Sequence, residues 1–381
     1  MRLLVALCAF TALGAAACGD DGVPKPARML PVTEAEATAF AAQFVAAASP
    51  CEPARLGPLF DSRNLGRRAI NKTRLRPDMK RELVKELERR RFDVSTQLCQ
   101  GLADDVRFDL LRVRQVGADH HPLLRMIGGG TFNYYDLELG KPTAEGEPRA
   151  VDMLDYYSGN LLSDTVAEGM GVGASAAMRG ERFDPAELTA ARAAGDWQKV
   201  RDLVASMPPT LRAARIFRLA ELQAVMQLED PAYVDLLTAF ERDFPDDPSM
   251  LLLVIDGHVM RKDVHALIAA IDRLERKLGG DPYLDLHRAG AYTLDPTPAN
   301  LSEGELLARA VTTKLPELQD GWWTLATIQL MRGDHAGVVP TLDELKRRFA
   351  IVFDRDAMAA EAIYAGFLAS PEFTAWWATS R

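Results

Sequence analysis

Asp152, Asp155, Tyr134 and Tyr156 are the side chains of this 381-residue chain best suited to acid–base chemistry. A carboxylate in apolar surroundings has a raised pKa and can serve as general base, while a phenol nearby holds an enolate oxygen. Strand alternation, however, puts Asp152 and Tyr156 on one face and Asp155 on the other, so the four cannot line one pocket. Both acids are expected at the surface, and no catalytic residue is assigned. The six histidines give no His-Glu-x-x-His pair. His120–His121 precedes Pro122 with neither a cysteine nor a spaced carboxylate beside it, so no metal is expected. Gly128, Gly129, Gly130 and Thr131 lack the Gly-Lys-Ser/Thr of a phosphate loop, and Gly169, Gly171 and Gly173 follow a helix. No Gly-x-Ser-x-Gly elbow occurs. The expectation is a non-enzymatic protein with no cofactor.

Cys18 carries a more specific expectation. Arg2 and the small, apolar run from Leu3 to Ala17 form the pattern of an export signal, too short to span a bilayer comfortably. Ala15-Ala16-Ala17-Cys18 resembles a bacterial lipobox, in which small residues precede a cysteine that is lipidated and becomes the new N-terminus; Ala15 stands where leucine is usual. The resemblance implies an exported lipoprotein of the bacterial envelope, held in the membrane by acyl chains that contribute about 0.8 kcal/mol per buried methylene. Gly19 after the cysteine favours the outer membrane, facing the periplasm, by the same resemblance. An ordinary signal peptide with an incidental Cys18 is the alternative. Cys8 would leave with the signal, so Cys51 and Cys99 remain as an even pair in an exported chain, which suggests a disulfide. Two buried free thiols would be the other outcome.

The composition, 48% hydrophobic and 26% charged, is that of a globular chain long enough for two domains. A net charge of −9 argues against a general nucleic-acid binder, whose polyanionic partner demands a basic face. Arg63 to Arg91 reverses that sign locally, with twelve Lys and Arg against Asp78, Glu82, Glu86 and Glu88. It reads as a solvated helix face paired within the helix. In a tethered protein it would also suit anionic headgroups.

The elements that position these residues fall into two kinds. Thr33 with Glu36 makes a capping box ahead of an amphipathic helix to Ala48, and Asp78 to Leu98 reads as a second helix. After Gly101 the period changes: residues 106–116, 121–127, 131–139 and 149–157 read as strands separated by Gly or Pro. Helices followed by a strand meander make an α+β domain over 33–165, preceded by a flexible tether at 18–32. Its order, and the stretch "FAAQFVAAASPCEPARLGPLFD", resemble the cone-shaped nuclear transport factor 2-like (SnoaL-like) domains. The resemblance implies helices packed on a curved antiparallel sheet, a pocket between them, and in some members isomerase or cyclase activity. Residues 166–183 begin as a helix, become rich in Gly and Ala, and read as a connector.

From residue 184 to 381 strands disappear. Asp196, Asp230, Asp263 and Asp334 recur at spacings of 34, 33 and 71, with Val200, Val234, Leu267 and Val338 four residues after them, and a missing turn is expected near Thr297. A period near 34 means stacked helical hairpins, because one hairpin cannot bury its own apolar face. The unit 319–352 resembles the tetratricopeptide repeat in Trp322, Leu325, Ala326, Gly333, Asp334, Leu342 and Leu345, although Pro340 interrupts its second helix. The resemblance implies a groove presenting Thr189, Arg192, Gln223, Met226, Asp256, Val259, Trp323, Thr327 and Leu330, suited to a peptide or partner helix. The expected function is a lipid-anchored envelope scaffold binding an unidentified envelope protein or peptide, without nucleic acid. A small-molecule-binding cone domain with the repeats as a docking module is the competing expectation.

Overall fold

The computed structural model describes residues 22–49, 51–90, 93–100, 106–128, 131–181, 184–245, 247 and 249–379. The export segment 1–17 and the expected lipidation site Cys18 lie outside the described residues. The chain forms two compact units, Met1–Met250 and Leu251–Arg381.

In the first unit, helix α1 (Glu34–Ala48) starts at the expected capping box, with Glu36 N donating to Thr33 Oγ1 and Thr33 N donating to Glu36 Oε2. Phe40, Ala41, Phe44 and Ala48 recur on its buried face. A turn through Cys51 leads into α2 (Pro53–Leu56), and α3 (Ser62–Lys72) starts on the side chain of Asp61. The single helix expected over 78–98 is two, α4 (Pro77–Arg90) and α5 (Val94–Gln100). Asp93 separates them: its carboxylate accepts the amides of Ser95 and Thr96 and so begins a new helix. Cys51 and Cys99 are joined by a disulfide across a Cα separation of 5.4 Å, tying α5 to the turn after α1.

Five antiparallel strands follow in chain order: β1 (Arg107–Val116), β2 (Asp119–Gly128), β3 (Thr131–Gly140), β4 (Arg149–Asp155) and β5 (Asn160–Leu161). Gly117, at φ 65°, supplies the left-handed residue that the short β1–β2 turn requires. One face of the sheet carries Phe108, Leu124, Met126, Tyr135, Leu137 and Met153, which share the apolar core with Phe40 and Phe44 of α1. The rings of Phe108 and Phe44 meet edge to face at 5.9 Å.

The segment expected as a flexible tether is docked from Pro24 onward. Asn64 Nδ2 donates to Ala27 O at 3.3 Å and Asn71 Nδ2 donates to Pro24 O at 3.1 Å. Leu30 pairs its backbone with Lys141 in both directions, at 2.8 and 3.0 Å, and Val32 is buried in the core. Gly140 permits this, since a Cβ there would stand 2.6 Å from Met29 Cβ. Prolines 24, 26 and 31 keep the strap extended without unsatisfied amides of their own.

The expected connector is a continuous helix, α6 (Leu162–Met178). Met170 packs with Ile70, Leu83 and Leu87 of α3 and α4, while Ala176 packs with Val200, Val204 and Phe217 of the helices that follow. Its small residues allow close helix contact on both sides. The unit continues through α7 (Pro185–Ala193), α8 (Trp197–Ser206), α9 (Pro209–Arg212), α10 (Arg215–Gln227) and α11 (Tyr233–Asp243). Arg215 binds Asp247 and the carbonyl of Ser158, joining α10 to the turn after β4.

The second unit is helical: α12 (starting at Met250 and ending at Arg261), α13 (Val264–Leu278), α14 (Tyr283–Thr293), α15 (Pro298–Lys314), α16 (Gln319–Arg332) and α17 (His335–Phe349), then α18 (Arg355–Ala360), α19 (Ala365–Leu368) and α20 (Pro371–Thr379). Asp263 and Asp334 cap α13 and α17, as Asp196 caps α8, and Thr297 caps α15 at the turn expected there. Val200, Leu267 and Val338 are buried accordingly. After Asp230 the helix begins only at Tyr233, so Val234 is half-buried and Tyr233, Leu237 and Phe240 take the core positions. Pro340 does not interrupt α17, which runs through it. At the C-terminal end Phe367, Phe373 and Trp376 close the core over Leu342 and Leu345.

Candidate functional site

The face of the sheet turned away from α1 is polar. Pairing of Arg114 with His121, Leu123 with Asp136, and Glu138 with Asp152 aligns Arg114, His121, Asp136, Glu138 and Asp152 in a stripe across four strands. Arg114 pairs with Asp136 and reaches Tyr156 Oη at 3.3 Å. His121 Nδ1 lies 3.2 Å from the other oxygen of Asp136. Burial pushes the His121 imidazole below its ordinary pKa, against the pull of Glu138 and Asp119. A neutral imidazole beside a carboxylate, here close but not hydrogen-bonded to it, can serve as a general base.

Asp152 is fully buried, not at the surface as expected. Its carboxylate accepts the hydroxyl and amide of Ser163 and the amide of Met153, with Arg68 at 3.8 Å. Lys72 Nζ donates to the same Ser163 hydroxyl at 2.8 Å and pairs with Asp164, while Arg68 pairs with Glu138 at 2.7 Å. Burial raises the pKa of Asp152 against the opposing Ser163 hydrogen bonds. These donors make Asp152 the receptor for the first turn of α6, which fixes that helix to β4. Tyr134 and Tyr156, both buried, meet at a ring separation of 6.1 Å on the Asp152 side of the sheet. Asp155 is opposite Tyr135 in the register, accepts from Asn133 Nδ2 at 2.7 Å, and has its pKa raised by burial. The alternation read from the sequence therefore describes the four residues, and Asp155 stays apart from the other three.

The strand sequences held the signal for this stripe. Tyr134, Asp136 and Glu138 alternate with Tyr135, Leu137 and Leu139, a polar face opposite an apolar one. Asn64 and Asn71, which hold the strap, gave no such signal, because their partners are main-chain oxygens far away in sequence.

The residues expected to line a helical groove are placed unequally. In the first unit Arg192 Nη2 donates to Gln223 Oε1 at 2.7 Å, bringing two of them together, with Thr189 and Met226 half-buried. In the second, Leu330 is buried beside Leu342, and Trp323 packs edge-on against Phe353 at 5.9 Å, with Thr327 half-buried. Val259 is 42% exposed and its neighbour Met260 46%. Asp256, one turn before them, is partly buried and makes no hydrogen bond or ion pair among the described residues. Burial raises its pKa to about 6.

The basic segment is largely paired: Arg67 with Glu88, Arg68 with Glu138, Lys72 with Asp164, Arg76 with Asp78, Lys85 with Glu82 and Arg89 with Glu86. Arg63 and Arg74 are exposed and form no ion pair among the described residues. Among the described residues no group of three or more His, Cys, Asp or Glu is placed to hold a metal ion, and no helix is long and apolar enough to cross a membrane.

No known protein family, curated protein or solved structure matches the chain.

Proposed function

We propose that the chain is a lipid-anchored envelope scaffold whose helical hairpins, over residues 184–381, follow a tetratricopeptide-like plan and bind a protein or peptide segment. The observation that carries this reading is Asp256, an unpartnered carboxyl on α12 with the exposed apolar side chains of Val259 and Met260 one turn further on. Such a pairing suits a basic residue flanked by an apolar one on an incoming segment. The anchor in this reading is Cys18, on the strength of its lipobox-like surroundings. A photo-crosslinker at Val259 of the full chain, activated in its own membranes, is expected to capture a discrete partner, and Asp256→Arg to abolish the adduct. An adduct unchanged by Asp256→Arg, or none, removes this surface from the function.

A second reading, small-molecule binding or isomerase-like chemistry in a cone-shaped α+β domain with the hairpins as a docking module, is favoured by the His121–Asp136 pair. Ligand-dependent shifts of the His121 ring nitrogens in a compound screen would support it, and their absence would end it.

A further inference from the structure

The strap and α3 are matched in length. Asn64 and Asn71 stand seven residues apart on one face of α3, a rise of about 10 Å, and the three-residue step from Pro24 to Ala27 in extended chain covers about the same. The strap therefore runs antiparallel to α3, with Ala27 at its N-terminal end and Pro24 at its C-terminal end. Pro24 thus lies beside Asn71, close to the turn into α4 that holds Arg74.

Four basic residues mark this ribbon. Lys25 and Arg28 on the strap, Arg63 on α3 and Arg74 in the turn after it are all exposed and without an ion pair among the described residues. Arg63 precedes Asn64 by one residue at the start of α3, and Arg74 follows Asn71 by three, beyond the helix end at Lys72, so the two stand near opposite ends of the docked strap. Most of their neighbours in the basic segment are neutralised by Glu88, Glu138, Asp164 and Asp78. The unpaired charge is thus concentrated along the docked strap.

We propose that this ribbon of Lys25, Arg28, Arg63 and Arg74 is the membrane-facing edge of the α+β domain and binds the anionic phosphates of the bilayer surface. The proposal rests on the reading of Cys18 as the lipid anchor. Five residues lie between Cys18 and Pro24, so the two can be at most about 20 Å apart. An acylated Cys18 would hold the near end of the ribbon within about 2.5 Debye lengths of the headgroups at physiological salt. The docked strap thereby turns a simple tether into an orienting device: it fixes which edge of the domain the membrane sees.

The test uses the full mature chain. Fractionation of wild type against Cys18→Ser reports the anchor alone. Co-sedimentation of the Cys18→Ser protein with vesicles of phosphatidylcholine, with and without 30% phosphatidylglycerol, reports the ribbon alone. Binding to the anionic vesicles at 50 mM NaCl is expected to exceed that to neutral ones at least tenfold, to fall at least tenfold at 500 mM NaCl, and to be lost in Lys25→Glu/Arg28→Glu/Arg74→Glu. Charge reversal at Arg273 and Arg276, on α13, is expected to leave it unchanged. Equal binding to both vesicles, or loss in the α13 control as well, overturns the ribbon even where the anchor stands. An anchor that fails while anionic binding persists overturns only the premise of acylation. Circular dichroism of each variant separates lost binding from lost folding.

Discussion

The carboxylate of Asp152 and the first turn of α6 are bound through Ser163, which gives that carboxylate both its hydroxyl and its amide, the latter at 3.0 Å. Asp152 acts as an N-terminal cap supplied from a strand, so β4 and α6 share one buried polar joint. Lys72 on the far side of Ser163 extends the joint to α3.

Ser163→Ala removes one donor from a buried carboxylate and is expected to cost about 1–3 kcal/mol, measured as a fall in the urea midpoint at pH 7. Asp152 has a folded pKa above its ordinary 3.8, so the native state holds this proton more tightly than the unfolded one. Stability from this group is therefore greatest at low pH and declines as pH rises through the folded pKa. Asp152→Asn is expected to flatten that decline, and Ser163→Ala to move it to higher pH. A wild type and Asp152→Asn variant with parallel pH profiles would refute the assignment.

Asp256 gives a second, separable pH effect. Its pKa rises from 3.8 to about 6 on folding, so the folded state is penalised as pH rises through that window, by at most about 3 kcal/mol. Asp256→Asn should match wild type near pH 4 and be the more stable protein at pH 8, in guanidinium titrations at both values. A cationic side chain bound against Asp256 would draw that pKa down. Partner affinity is therefore expected to increase between pH 5 and pH 7 in wild type and to be level in Asp256→Asn.

Replacing Cys51 and Cys99 together by serine opens a loop with a sequence separation of 48. The chain-entropy account puts the loss at about 4 kcal/mol. Thermal unfolding with and without reductant should show the same drop in wild type and no response in the double variant.

Docking of the strap can be followed by trypsin, which cuts after Arg28 but not after Lys25, where Pro26 follows. Asn71→Ala removes one hydrogen bond, worth about 1 kcal/mol, and should raise cleavage there about fivefold. Gly140→Ala places a methyl group against Met29 and should expose the strap more fully. Cleavage rates equal to wild type in both variants would mean that the strap is not held at these points.

The sheet was legible because its strands obey a period of two and its turns carry Gly or Pro; the expected 131–139 and 149–157 are close to the observed Thr131–Gly140 and Arg149–Asp155. The aspartate repeat was legible for the same kind of local reason, since three of the four aspartates cap the helix that starts at the next residue. Asp230 departs in that its carboxylate accepts the amide of Ala232 in a turn, and the helix begins only at Tyr233. What escaped was non-local. The glycines at 169, 171 and 173 signal a loop by propensity, yet α6 forms because its many alanines favour a helix and each side of it is covered by another helix. The strap escaped for the same cause: polar, proline-rich residues look unstructured until Asn64, Asn71 and Lys141 supply partners for their carbonyls.

The backbone pairing of Leu30 with Lys141 also sets an order of events. Lys141 follows the third strand, so during synthesis Asn64 and Asn71 are available to the strap first, and its backbone pairing waits for most of the sheet. Completion of the third strand then adds Lys141 to the two asparagines, so the strap is held at both of its ends only once most of the sheet exists.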